Sequence, residues 1–214
     1  NLTLANGFEP DDIQKNSSDI LLDGLNIQEA IKKTNYQNLD LIPSLFRISE
    51  AEVLLPSRLN FGRILKNSLS KLSSEYDYVI LDCPPSMGAI TNNALNAADL
   101  LIIPTQAEYF SAYALRNMMN LVRQIRLDIN PSLSYRILIT MLDQRNKTHK
   151  TIREQLIQTF GTGVFTTVIE IDTRLKESPI FGIPINRYKP GSRGSLQYQN
   201  LAEEIIAFFD IRSR

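Results

Sequence analysis

Short apolar runs alternating with amphipathic segments predict an α/β fold: a doubly wound, mostly parallel sheet with helices on both faces. Three observations carry that expectation. The runs Tyr78-Val79-Ile80-Leu81 and Leu100-Leu101-Ile102-Ile103 are continuously apolar, the pattern of strands buried on both faces. Residues 110–127 form a long amphipathic helix, and residues 147–160 a second one. Strand-like and helix-like runs alternate, and helices of roughly 10 to 18 residues suit the crossovers of a parallel sheet.

The elements follow in chain order. Residues 1–18 are polar and hold the turn formers Asn6-Gly7 and Pro10-Asp11-Asp12, so they read as loop with a turn of helix. In residues 20–33 the apolar positions Ile20, Leu21, Leu25, Ile27, Ala30 and Ile31 give helical turns broken near Gly24. Leu39-Asp40-Leu41-Ile42-Pro43 is a short strand stopped by proline. Residues 57–72 place Leu59, Phe61, Ile64, Leu65, Leu69 and Leu72 on one helical face, with Ser57 as N-cap. After the 78–81 strand, residues 90–98 are rich in alanine and asparagine and form a short helix. Residues 134–141 make a third strand, 164–169 are β-branched and strand-like, and 195–209 form a final helix. A single domain over residues 1–214 is expected from this length.

Composition narrows the function classes. The chain is 43% hydrophobic and 21% charged, ordinary for a globular protein. Its 23 Lys and Arg balance 23 Asp and Glu, so no net field draws it toward nucleic acid or membrane. One cysteine excludes a disulfide framework and a thiolate zinc site, and fits a reducing compartment. One histidine argues against His-rich metal sites and against Ser-His or Cys-His catalysis. No apolar run approaches the roughly 18 residues of a membrane span. The first residues, Asn-Leu-Thr-Leu-Ala-Asn-Gly, have neither the basic nor the apolar region of a signal peptide.

The junction Tyr76-Asp77-Tyr78-Val79-Ile80-Leu81-Asp82-Cys83-Pro84-Pro85-Ser86 carries the most chemistry. An apolar strand ends in an acid, and two prolines restrict the loop that leaves it. Ligands of such sheets bind beyond the carboxyl ends of the strands. A carboxylate there suits a magnesium ion held through its waters beside a phosphate. Taken alone, such an aspartate reads first as an N-cap or a polar strand end.

Its surroundings change that reading. After Ser86 come Gly88, Thr91, Asn93-Ala94-Leu95, Ala97-Ala98-Asp99, Ile103-Pro104, Gln106 and Glu108-Tyr109-Phe110. This block resembles the ParA/Soj branch of the ParA/MinD ATPases, deviant-Walker P-loop enzymes that partition chromosomes and plasmids. Asn38-Leu39-Asp40-Leu41-Ile42-Pro43 and Ser49-Glu50-Ala51-Glu52 resemble an earlier segment of that family. Leu138-Ile139-Thr140-Met141-Leu142-Asp143-Gln144-Arg145 resembles the strand and loop near its adenine pocket. Arg174-Leu175, Glu177, Pro179, Gly182 and Pro184 match a further stretch. Tyr188, Pro190, Ser192-Arg193-Gly194, Tyr198, Leu201-Ala202 and Glu204 match its C-terminal one. The resemblance spans nearly the whole chain.

It implies a P-loop NTPase-like fold and an ATPase that uses ATP and Mg²⁺. Asp82 takes the place of the Walker B acid, which holds the magnesium-bound water. Pro84 and Pro85 open a switch loop that senses the terminal phosphate, and Met141 and Asp143 line the adenine pocket. Arg174, Lys189 and Arg193 stand at DNA-contacting positions. A homodimer formed on ATP, non-specific DNA and a ParB-type partner follow from the same likeness, as does a cytoplasmic, nucleoid-associated location without membrane docking. One signature is not in the sequence: no glycine precedes a Lys-Ser or Lys-Thr pair, so Gly-x-x-x-x-Gly-Lys-Thr is absent. Asn1-Leu2-Thr3 resembles the tail of the motif that follows the family's P-loop. The expectation is a chain without the N-terminal strand–P-loop–helix–strand unit, unable by itself to hydrolyse ATP. Truncation and a natural relative without the loop both remain open.

Smaller signals complete the reading. Ile169-Glu170-Ile171-Asp172 departs from the family's Ile-Pro-Arg-Asn, which removes an arginine used for DNA. Cys83 is expected as a small buried packing residue, His149 as exposed and idle, and Tyr109 and Phe110 as packed on the sheet. Two rivals to DNA partitioning stay in view. One is a positioning ATPase for other cargo, such as a MinD-like membrane positioner; the acids Glu203, Glu204 and Asp210 near the end disfavour membrane docking. The other is a non-catalytic binding module.

Overall fold

The computed structural model describes residues 2–72 and 75–212, with the side chains of residues 109–113 and 212 left outside the description. The expected packing of Tyr109 and Phe110 on the sheet, and the comparison drawn for Asn1, therefore lie outside the described residues. The chain divides into two compact units, Asn1–Asp99 with Asp128–Pro131, and Leu100–Leu127 with Ser132–Arg214.

The first unit is built from short pieces. α1 (Leu2–Ala5) is a single turn of helix in the stretch read as loop with a turn of helix. A wide helical turn at Asp19–Asp23 is closed by Gly24 at φ 72, a left-handed position that suits glycine, and α2 (Ile27–Ala30) follows. β1 (Lys32–Lys33) and β2 (Asp40–Leu41) pair antiparallel. Asp40 ties the pair together, accepting from Lys33 Nζ at 2.7 Å and from the Tyr76 hydroxyl at 2.6 Å. α3 (Ile48–Leu54), α4 (Ile64–Leu69) and α5 (Ala89–Ala97) supply the rest. Leu21, Leu22, Ala51, Leu55 and Ala89 form one buried cluster, and Ile20, Ile27, Ala30 and Leu72 another.

Two of the expected elements fail in this unit. The single helix over residues 57–72 is broken, because Asn60 adopts φ 57 between two tight turns. Ser57 is then no N-cap; its hydroxyl donates backward to Leu54 O at 2.7 Å. The 78–81 run is not a strand. A strand exists only through its hydrogen-bonded neighbour, and none flanks this run among the described residues. Ile80 is accordingly 89% exposed.

The second unit holds the parallel sheet. β3 (Leu100–Gln106) and β4 (Ser134–Thr140) pair in parallel from Leu100↔Ser134 to Gln106↔Thr140. Between them runs α6 (Tyr109–Asp128), and α7 (Lys147–Phe160) follows β4. α8 (Thr173–Glu177), α9 (Ile185–Tyr188) and α10 (Arg193–Arg212) complete the chain. Alternation along the strands feeds two cores. Ile137 and Ile139 pack with Leu115 of α6 and with Ile152 and Leu156 of α7. Leu138 points the other way, to Phe165, Ile169 and Leu201 of α10. Helices thus cover both faces, as the sequence predicts.

The 164–169 run follows β4 without becoming a regular strand. It touches the sheet through parallel bridges at Ile137↔Val164 and Leu142↔Glu170. Phe165 and Ile169 donate to Ile137 O and Ile139 O, each at 2.9 Å. The longer span of chain on the 165–169 side must bulge away. Its amides Thr166 N–H and Thr167 N–H go instead to the Glu204 carboxylate of α10, at 2.8 and 2.9 Å. No helix among the described residues is long and apolar enough to cross a membrane.

Candidate functional site

The first unit carries Asp82, Pro84 and Pro85. Asp82 is exposed, and its carboxylate makes no hydrogen bond or ion pair among the described residues. Both prolines are exposed beside it. The far end of this loop is fastened. Thr91 Oγ1 donates to Ser86 O at 2.6 Å and lies 3.5 Å from Pro84 O. Ala89 N–H, at the start of α5, donates to Glu52 Oε2 of α3 at 2.5 Å. Asn93, fully buried, bridges α5 to α4 by accepting from Leu65 N–H at 3.3 Å. Cys83, expected in a packed interior, is exposed, since among the described residues no neighbouring strand covers the end of the 78–81 run. Its sulfur is still crowded by the chain around it. That desolvation, and then the Asp82 carboxylate, push the thiol above its ordinary value, so it stays protonated and unreactive at neutral pH.

The second unit carries the other candidates. Past the end of β4, Met141 turns the chain with φ 54 and leaves its side chain 38% exposed, so it is not core filler. Asp143 folds onto its own loop: Oδ1 accepts from Arg145 N–H at 2.9 Å and Nε at 3.1 Å, and Oδ2 from Nη2 at 3.0 Å. The Arg145 side chain first, and then its amide, hold the Asp143 carboxyl down to about 2. His149 is half-buried rather than idle. Asn146 caps α7 through Thr148 N–H at 2.9 Å, and this sets His149 in the first turn, where Nδ1 accepts from Asp143 N–H at 3.1 Å.

The basic positions are partly spent. Arg193 pairs with Glu170 Oε2 at 3.0 Å and also donates to Ile171 O. Arg174 lies 3.7 Å from Asp172 Oδ1. The exposed Lys189 ammonium has no ion pair among the described residues. Asp172 is almost wholly buried and caps two helices, accepting from Arg174 N–H of α8 at 3.0 Å and Gly194 N–H of α10 at 2.9 Å.

The model of an AAA-domain family matches residues 1–135. The sporulation initiation inhibitor protein Soj of Bacillus subtilis is 38% identical over 208 residues, which cover 97% of this chain and 82% of that protein. This chain belongs to the ParA/MinD-type partitioning ATPase family. The chromosome-partitioning ATPase Soj of Treponema pallidum is 35% identical over 190 residues, 88% of this chain and 75% of that protein. A solved structure described as cobyrinic acid a,c-diamide synthase from Mycobacterium smegmatis, with bound ATP analogue and magnesium, matches at TM-score 0.84 and 25% identity. It covers 97% of this chain and 78% of that one.

Within this ParA/MinD-type chain the structure brings Asp82, Pro84 and Pro85 together in one loop, and Met141 and Asp143 in another. Arg174 pairs with Asp172 and Arg193 with Glu170, while Lys189 takes part in neither ion pair. Sequence reasoning missed Glu52, His149, Asp172 and Glu204 as structural partners of these loops. The Ser49-Glu50-Ala51-Glu52 segment drew notice, but nothing in it says which acid reaches α5. For Asp172 a signal did exist, since an acid immediately before a helical stretch is an N-cap pattern.

Proposed function

We propose that this chain is the body of an ATP-dependent ATPase that partitions chromosomal or plasmid DNA, with residues 1–214 acting as one ATPase domain. One observation carries the reading: Asp82 is an exposed carboxylate, unpaired among the described residues, separated only by Cys83 from a Pro84-Pro85 loop that Thr91 fastens to α5. Support comes from the relative named as a chromosome-partitioning ATPase and from the structural relative that holds an ATP analogue with magnesium.

The residues present fit a magnesium nucleotide. Among the described residues no three acidic, cysteine or histidine side chains gather as a metal cage. Magnesium does not need one, because it keeps most of its waters and takes one or two carboxylates with phosphate oxygens. A lone unpaired aspartate suits that habit. When bound, the ion would neutralise phosphate charge. Asp82 would hold and orient a water of its shell, and Pro84 and Pro85 would limit the loop to two discrete arrangements, with and without the terminal phosphate. The exposed Met141 thioether offers an apolar surface to a base, and Asp143, already fixed by Arg145 and His149, holds the shape of that loop. Arg174, Lys189 and Arg193 would contact DNA phosphates in an ATP-bound homodimer, with no base readout. A ParB-type partner would stimulate hydrolysis, on the nucleoid and in the cytoplasm.

The test is magnesium-dependent ATP turnover of the protein expressed from its natural gene. Asp82→Ala should lower it by about 100-fold or more, the scale of losing a transition-state contact. Parental turnover in Asp82→Ala would reject the assignment.

A further inference from the structure

We propose that Glu52 is a positioning residue for the 84–88 loop, a peg from α3 that fixes the loop's exit against α5, with Gly88 as the notch that admits it. The proposal deepens the reading above, and its catalytic consequence rests on that loop sensing nucleotide.

Three observations converge. The residue before α5 is Gly88, whose missing side chain leaves the first amides of the helix uncapped from within. Ala89 N–H finds Glu52 Oε2 instead, and a carboxylate at that end also suits the helix dipole. Gly88 itself has φ −90 and ψ −163, an ordinary extended conformation that does not call for glycine. What calls for glycine is space. A Cβ there would lie 1.9 Å from Glu52 Oε2, 2.5 Å from Cδ and 2.8 Å from Oε1. The three nearest atoms all belong to the one side chain, so Gly88 is shaped around Glu52.

The third observation is that the peg is half used. Glu52 Oε1 is buried and has no hydrogen-bond partner among the described residues. A buried, unpaired carboxylate oxygen makes the seat marginal, so little is needed to release it. Its base is firm, because neighbouring Ala51 is fully buried with Leu21, Leu22, Leu55 and Ala89. Thr91 meanwhile binds the loop body to the same helix through Ser86 O. The 84–88 loop therefore cannot shift against α5 without stretching the Thr91 bond or unseating Glu52. Glu52 acts through the loop and touches no reacting atom.

The experiment compares the parent, Glu52→Ala, Gly88→Ala, the double variant and Glu52→Gln. Backbone amide exchange across residues 84–91 is read without nucleotide, and ATP turnover is read on the same proteins. Each alanine variant should speed exchange at Ala89 by about fivefold or more, as loss of a helix cap does. The double variant should exchange no faster than either single one, because the Gly88→Ala methyl harms only by expelling a carboxylate that the double variant lacks. Glu52→Gln keeps an acceptor oxygen and should stay near the parent. In turnover, kcat should fall in both alanine variants while KM for ATP stays within about twofold, and Glu52→Gln should recover it. Parental exchange in Glu52→Ala overturns the proposal, as do additive effects in the double variant. A parent with no ATP turnover would sink the proposed function alone, leaving exchange to decide the peg.

Discussion

The Arg145 guanidinium beside Asp143, then the Arg145 amide, hold that carboxyl down to about 2. A carboxyl whose folded value is depressed favours the fold above its ordinary value, about 3.9, and that contribution is lost as pH falls toward the folded value. Arg145→Ala should return the Asp143 titration, followed by carbon-detected NMR, most of the way to the ordinary range. A titration that stayed near the native one would assign the effect to backbone donors instead. The sequence singled out Asp143 from a family likeness but had no means of finding its partners. Arg145 reaches back because the chain turns over residues 143–146, where Asn146 N–H donates to Asp143 O, and His149 because Asn146 starts α7 where it does. Glu52 shows the same limit at longer range, lying 37 positions from the amide it binds.

Among elements, α8 and α10 share one support. Burial raises the Asp172 carboxyl, and the Gly194 and Arg174 amides with the charges of Arg174 and Arg193 more than offset it, so the net shift is downward. Asp172→Ala removes two caps and should lower unfolding free energy by about 2 kcal/mol in chemical denaturation. The native contribution should be whole above about 3.9 and fade as pH falls through the depressed folded value. Gly194 is the matching constraint: a Cβ there would lie 2.7 Å from Leu175 Cγ. The long elements were legible, since periodicity placed α6, α7 and α10 to within three residues at each end. The 57–72 segment was not. Its apolar spacing is helical, yet Asn60 takes a left-handed backbone, and the α-helix begins only at Ile64. The 164–169 run has strand residues, but Glu204, from far along the chain, takes the Thr166 and Thr167 amides that a regular ladder would use.

At the scale of the whole molecule, charge decides how the proposed DNA binding behaves. The chain is neutral overall, so attraction must come from a local patch. Glu170 removes part of it, because the residue that departs from the family pattern also pairs with Arg193. Glu170→Gln should therefore free Arg193, tighten binding on any sequence, and steepen log affinity against log salt by about 0.9 for each further phosphate neutralised. Lys189→Ala should flatten that slope by a similar amount. Equal slopes for the parent and both variants in a salt titration would remove this patch from the account. The parallel sheet and the doubly wound helices were legible at this scale because buried strands show as unbroken apolar runs. The 78–81 run shows where that rule stops. Its residues are those of a buried strand, but a strand is made by its neighbour, and the sequence of one run says nothing about whether a neighbour lies beside it.

Met141 has a consequence for engineering. An L-residue in the left-handed region sits about 1–2 kcal/mol above its relaxed backbone, so thermal stability alone would not select methionine there. Met141→Gly should raise the melting temperature by up to a few degrees, while stripping the exposed thioether from the proposed base-facing loop and weakening nucleotide affinity. One substitution would then move durability and ligand grip in opposite directions. That divergence, measured by calorimetry and by nucleotide titration on one pair of proteins, is the mark of a position kept for its task rather than for its comfort.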